Sequence, residues 1–169
     1  KNSANKRTTA NYQMDLNQQK GTLRAYYASV SFVDELVGKI LSALEATGQR
    51  DNTIVIFTSD HGYHLGEHDL WQKVSIHEES AKVPLIICVP GKKPAVCTSL
   101  TELIDLYPTI SKLCGLKIPG NIQGKDISTM LDDPTFKVRK AALSSGKGRL
   151  LRTEKWAYLD YGKTGELYD

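Results

Sequence analysis

The stretch TIVIFTSDHG, residues 53–62, decides the fold class of this chain. Residues 53–58 are apolar and β-branched, which is typical of a short strand buried on both faces of a sheet. Upstream, apolar residues recur at helical spacing over residues 23–44, and Gly48 is placed to end that helix. A helix, a tight turn and a buried strand predict an αβ unit of a mostly parallel sheet, and therefore an α/β fold.

Further elements are predicted downstream. Residues 84–89 (PLIICV) predict a second buried strand beside the first. Residues 107–114 predict a short helix with Asp105 as its cap, and His77 with the two glutamates after it is interpreted as a solvated helix end. Four short segments separated by turns predict antiparallel hairpins: residues 141–145, 149–152, 156–161 and 166–168.

The composition excludes several classes of protein. The 169 residues are 40% hydrophobic and 24% charged, as in ordinary globular domains. A net charge of +3 with scattered lysines argues against nucleic-acid binding, and no apolar run is long enough to span a membrane. The three cysteines are irregularly spaced, so no disulfide framework is predicted, and Cys88 is interpreted as a small buried residue.

The polar stretch at residues 59–82 is the predicted functional site. Ligands of open α/β sheets bind outside the carboxyl ends of strands, which is where Asp60 and His61 stand. Gly62 lets the backbone turn sharply after them, and Lys73 is placed to meet an anion that a metal attracts. Further ligands or proton carriers lie between: His64, Glu67 and His68. The alternative is a solvated polar loop, but sites concentrate in such positions.

Several motifs in a fixed order resemble the sulfatase family, most of all its iduronate-2-sulfatase-like branch. They are TSDHG (58–62), LGEH (65–68), WQK (71–73), AKVPLII (81–87), DLYPTI (105–110), LRTEKW (151–156) and ELYD (166–169). The likeness extends from about residue 20 to the end of the sequence. It is far more specific than Asp-His-Gly alone.

The resemblance implies an alkaline-phosphatase-like α/β fold. It implies that this chain is the C-terminal fragment of the main mixed sheet, with helices and a small C-terminal antiparallel sheet. The expected divisions are a polar, flexible lead segment at residues 1–20, part of the α/β domain at 21–138 and the small sheet at 139–169.

The resemblance also implies the chemistry. A calcium ion is held by carboxylates from two regions of the chain, and the nucleophile is a formylglycine made from a Cys/Ser-x-Pro-Ser-Arg motif. Its hydrate attacks sulfur, the alcohol leaves, and the hemiacetal sulfate then releases sulfate. This sequence has no such motif, since CVPGK at residues 88–92 departs from it at the fourth and fifth positions. The nucleophile and the other ligands are expected from a missing N-terminal part, and the chain alone is expected to be inactive.

Site roles follow residue by residue from the resemblance. Asp60 matches a metal-ligand carboxylate, and His61 matches the adjacent position at the edge of the metal, where it serves as a catalytic or metal-site residue. Lys73 matches the lysine that contacts sulfate and stabilises charge in the transition state. His64 and His68 either shape the substrate pocket or are exposed loop histidines. Asp60 and Lys73 are expected to face one cleft, with head groups within roughly 10 Å.

Two other functions stay open from the residues. One is a two-zinc phosphodiesterase or phosphonate hydrolase of the same superfamily, because three histidines suit zinc better than calcium. The other is a non-catalytic module derived from a sulfatase, since the nucleophile is absent. The expected partners are a sulfated small molecule or carbohydrate and the N-terminal part of the enzyme. The resemblance suggests periplasm, lysosome or secretion without fixing the compartment.

Overall fold

The computed structural model describes residues 14–73 and 75–169. Within the described residues the chain forms two compact units, one of residues 14–73 with 82–91 and one of residues 75–81 with 92–169. The helices are α1 (Leu16–Ala46), α2 (Glu78–Ala81) and α3 (Leu106–Leu113). The strands are β1 (Val55–Thr58), β2 (His64–Leu65), β3 (Trp71–Gln72), β4 (Leu85–Cys88), β5 (Ala142–Ser145), β6 (Arg149–Arg152), β7 (Ala157–Asp160) and β8 (Gly165–Tyr168).

Helix α1 is confirmed, and it begins before the predicted residue 23. A capping box sets its start: the Asp15 side chain accepts a hydrogen bond from the Gln18 backbone N–H, and the Gln18 side chain accepts one from Asp15. Gly48, at a φ of 66°, follows the last turn as predicted. Residues 1–13 of the predicted lead segment lie outside the described residues.

Strands β1 and β4 are neighbours, as predicted, but two details of the prediction are wrong. They pair antiparallel, with Val55 opposite Cys88 and Thr58 opposite Leu85, so this pair does not belong to a parallel ladder. No residue of either strand is buried, and the thiol of Cys88 is free and exposed. In the part of the chain that the structure describes, β1 and β4 pair only with each other.

The apolar side of α1 is only partly covered. None of the helix's residues is buried; on the predicted face Leu23, Tyr26 and Leu41 are half-buried, whereas Tyr27 and Ile40 are more than half exposed. Helical spacing identified this face correctly, but spacing does not say which part of a protein covers it. None of the helices within residues 14–73 and 75–169 is long and apolar enough to cross a membrane.

The four predicted hairpin segments form one antiparallel sheet in the order β5–β6–β7–β8. Leu150 and Leu159 are opposite each other on β6 and β7, and both are buried. They pack with Ile76 and Ala157 into the hydrophobic core of this unit. The short segments between turns therefore identified the four strands, whereas the packing of their side chains is a finding of the structure.

His77 is buried in this unit, which corrects its interpretation as part of a solvated helix end. Its ring meets that of Tyr168 edge to face, with centroids 6.0 Å apart. The Tyr168 hydroxyl donates a 2.6 Å hydrogen bond to Glu166, and this bond raises the pKa of Tyr168 to about 12. The C-terminal strand, rather than solvent, surrounds the histidine.

Helix α3 is confirmed, but Asp105 does not cap it with its side chain. The carboxylate is fully buried and accepts hydrogen bonds from the backbone N–H groups of Glu102 (2.8 Å) and Lys125 (2.9 Å). The Arg139 guanidinium donates two more to it. Burial alone raises the pKa of Asp105, but these donors outweigh it and hold the pKa below its usual value. The local sequence indicates a residue at the cap position, but it does not indicate that the distant Arg139 binds the carboxylate of that residue.

Candidate active site

The carboxyl end of β1 leads into a tight turn that holds Asp60 and His61. The Ser59 hydroxyl donates to the carbonyl of His61 at 2.8 Å, and Asp60 Oδ1 accepts the His61 backbone N–H at 3.0 Å. The Asp60 side chain is 84% exposed, so its remaining oxygen lone pairs face outward. The turn therefore presents an anionic oxygen at the end of the strand.

The tautomer of His61 follows from its hydrogen bond. Nδ1 lies 2.8 Å from the carbonyl oxygen of Gly62, which can only accept, so Nδ1 carries the proton. In the neutral ring Nε2 is then an acceptor, and it lies 3.6 Å from Asp60 Oδ2. His61 Nε2 and Asp60 Oδ2 both carry lone pairs, and at this separation both can interact with one bound cation or with a proton on Nε2.

Strands β2 and β3 form a small hairpin between this turn and Lys73. Its connection is closed by hydrogen bonds from Gly66 N–H to the Leu70 carbonyl and from Leu70 N–H to the Glu67 carbonyl, each of 2.9 Å. The Glu67 carboxylate also accepts the Leu65 N–H at 2.6 Å. These bonds make the hairpin a defined structure rather than an open polar loop.

The two histidines of the hairpin differ in environment. His64 is 1% exposed, which excludes its interpretation as an exposed loop histidine, whereas His68 is exposed. Their rings meet edge to face with centroids 6.2 Å apart. Trp71 is 3% exposed, and a Cβ added at Gly66 would lie 3.5 Å from its ring. His64 and Trp71 belong to different cross-strand pairs of the hairpin, so each pair has one buried member, whereas the tip is exposed.

Backbone strain concentrates in the same hairpin. His68, Asp69 and Gln72 have φ values of 54°, 56° and 70°, and no other non-glycine residue of the described ranges has a positive φ. Each such conformation costs about 1–3 kcal/mol and persists only where the surroundings enforce it. Strain of this kind is typical of functional segments.

Lys73 follows the strained Gln72 directly and is exposed. At the other end of the segment, the ring of Tyr63 packs on Tyr26 of α1, with centroids 5.3 Å apart. The residues that the structure describes contain no group of three or more His, Cys, Asp and Glu side chains that could hold a metal. The convergence of Asp60 and His61 with Lys73 on one cleft stays a prediction.

A family model decides the affiliation of the chain. The model described as Sulfatase matches residues 3–116, which include β1, the Asp60–His61 turn and Lys73. The chain belongs to the sulfatase family. Among curated relatives, choline-sulfatase of Rhizobium meliloti is 38% identical over 108 residues, which are 64% of this chain and 21% of the relative. Human iduronate 2-sulfatase is 35% identical over 127 residues, covering 60% of this chain and 23% of the relative.

Solved structures support the fold of this sulfatase chain. BT4656, solved in complex with its substrate D-glucosamine-2-N,6-O-disulfate, superposes with a TM-score of 0.76 at 31% identity, over 90% of this chain and 34% of that one. Phosphonate monoester hydrolase of Agrobacterium radiobacter gives 0.78 at 25% identity, over 90% and 35%. The alkaline-phosphatase-like sulfatase fold, with its small C-terminal antiparallel sheet, is confirmed.

The sulfatase chain spans between a fifth and two fifths of the length of the curated relatives it matches. Sequence reasoning named the exposed residues of the site but not the residues that hold them in place. It passed over Gln72, whose left-handed backbone has no signal in the sequence because glutamine is not enriched there. The neighbouring His68-Asp69 pair did carry a signal, since both residue types are enriched in that region.

Proposed function

We propose that this chain supplies part of the active site of a sulfuric ester hydrolase that uses calcium and a formylglycine. The observation that carries the proposal is the exposed Asp60–His61 turn at the carboxyl end of β1, inside the region that matches the Sulfatase model. This is the edge of an α/β sheet at which ligands bind.

The chain's own residues have distinct tasks in this proposal. Asp60 offers a hard anionic oxygen to the metal, which is the ligand type that calcium prefers. His61 stands beside it with Nε2 as an acceptor, oriented by its bond to Gly62, and serves the metal's edge or the sulfate. Lys73 contacts the sulfate oxygens and stabilises the charge that develops on them. When bound, calcium would neutralise the anion and formylglycine would supply the nucleophile.

The exposed carboxylate of Asp60 supports calcium at this half of the site. Of the three histidines that suggested zinc, His64 is 1% exposed within strand β2, whereas His61 and His68 are more accessible. The turn after β1 itself presents one carboxylate, Asp60, and one imidazole, His61. A hard cation completed by further carboxylates fits this pair.

A second candidate function is phosphonate monoester hydrolysis. The TM-score of 0.78 to the Agrobacterium radiobacter enzyme supports it, although most of the similar proteins are sulfatases. For the substrate of the sulfatase, we propose a sulfated carbohydrate. The support is the similarity to BT4656, whose structure holds a disulfated glucosamine.

The experiment that separates these functions uses the longer polypeptide that we infer to carry this chain. Purified with its formylglycine, it should hydrolyse 4-nitrophenyl sulfate faster than a phosphonate monoester, and metal analysis should find calcium rather than zinc. The 169-residue chain alone should show no turnover above a heat-killed control, because it lacks the nucleophile motif. Turnover by the isolated chain, or zinc with a preference for phosphonate, would overturn the proposal.

We expect Asp60→Asn to weaken calcium binding by the longer enzyme about 10-fold or more, because an anionic oxygen ligand becomes a neutral one. Isothermal titration calorimetry of the metal-free protein measures this directly. Asp51→Asn is the matched control, since it makes the same chemical change at an exposed carboxylate in the 3₁₀ turn before β1. Equal affinities for the Asp60 variant and the wild type would remove Asp60 from the ligand set.

A further inference from the structure

The left-handed backbone of Gln72 has a consequence for Lys73. In a regular strand, residues two apart point to the same side, so Trp71 and Lys73 would share one face. In the structure Trp71 is 3% exposed while Lys73 is exposed. The residue between them, Gln72, has a φ of 70°, which breaks the alternation at this position.

Glutamine is an unusual choice for this conformation. The other two strained residues of the hairpin, His68 and Asp69, belong to types that are enriched in the left-handed region. A glutamine held there has to be enforced by its surroundings. Gln72 pairs with the buried His64, and the buried Trp71 pairs with Leu65, so one buried residue in each pair fixes the strand up to Gln72.

The tip of the hairpin adds to this rigidity. Its connection is closed by the Gly66–Leu70 and Leu70–Glu67 backbone hydrogen bonds, and Glu67 also binds the Leu65 N–H. Strand β3 therefore cannot shift along β2 without breaking several bonds at once. A rigid strand that ends in a left-handed residue delivers the next side chain in one defined direction.

We propose that Gln72 is a positioning residue for Lys73: its left-handed backbone turns the lysine away from the face of Trp71 and holds the ammonium where the sulfate ester binds. The inference rests on the proposed function, in which Lys73 contacts sulfate. In this proposal the backbone conformation of Gln72 performs the task.

Three substitutions in the longer enzyme separate backbone from side chain. Gln72→Val introduces a β-branched residue that resists a positive φ, and kcat/KM should fall 10- to 100-fold as the ammonium is displaced. Gln72→Asn and Gln72→Gly both accept the left-handed region, and they should stay within about 3-fold of wild type. Thermal unfolding checks that each variant is folded, and Gln72→Ala replaces the valine variant if that one does not fold. An asparagine variant as impaired as the valine variant would overturn the proposal.

A double-mutant cycle with Lys73→Ala supplies the readout that a merely structural role would not move. If Gln72 acts through Lys73, Gln72→Val should change kcat/KM by less than about 3-fold in the Lys73→Ala background. If both substitutions are harmful and their effects multiply, the positioning role is wrong while the proposed function stands. If Lys73→Ala alone has no effect, the proposed role of Lys73 fails and this inference fails with it.

Discussion

Lys73→Ala is expected to lower kcat/KM for sulfate-ester hydrolysis by about 100-fold or more while leaving the metal in place. The size follows from the loss of one preorganised group that stabilises charge in the transition state. The lysine's charge meets sulfate oxygens whose interaction strengthens as the ester bond breaks, so kcat should fall and not only KM rise. Steady-state kinetics on the longer enzyme measure both constants.

Two controls define this result. Lys39→Ala removes an exposed lysine of α1 that forms an i,i+4 ion pair with Glu35, and it should leave kcat/KM unchanged. Calcium affinity of the Lys73→Ala enzyme should equal that of the wild type, because a lysine is not a ligand. A change confined to KM would mean that Lys73 binds substrate and transition state equally well.

Much of the fold could be predicted from the sequence because its elements are locally encoded. The period of apolar residues defined α1, and alternation with turn residues defined all four strands of the C-terminal sheet. Two features did not follow from the local sequence: the antiparallel pairing of β1 with β4 and the incomplete burial of both strands. The apolar sequence of a strand indicates that its faces are buried in a complete fold, but it does not indicate which segment of the chain buries them.

In the candidate site too, some features could be predicted from the sequence and others could not. Asp60 and His61 could be placed from the strand that ends before them, since chemistry concentrates at such ends. The burial of His64 and the turn of the backbone at Gln72 could not, because both depend on how a short hairpin packs on itself. Residue types near a site are therefore readable from the sequence, while the direction in which each side chain points is not.

Arg139→Ala is expected to destabilise the unit that contains residues 92–169 by about 3–5 kcal/mol, because it leaves the fully buried carboxylate of Asp105 without its cation. The guanidinium is itself only 5% exposed, and it also lies 3.2 Å from Glu102, so two carboxylates lose one partner. The hydrogen bond to Asp105 raises the pKa of Arg139 more than burial lowers it, so the pair is ionised at neutral pH. Urea unfolding at pH 7 measures the loss of unfolding free energy.

Acid should reduce the difference in unfolding free energy between the wild type and the Arg139→Ala variant. The pKa of Asp105 is lowered in the folded wild type, so the ion pair contributes fully above the unfolded pKa of about 3.9 and is lost as the pH falls through the folded value. In the Arg139→Ala variant, Asp105 has no guanidinium partner at any pH. The stability of the variant should therefore change less over that range. Lys137→Ala is the control, because its 2.5 Å ion pair with Glu154 is more than half exposed on both sides. That substitution should cost about 0–1 kcal/mol, and an equal cost at Arg139 would mean that the buried pair contributes no more than a surface one.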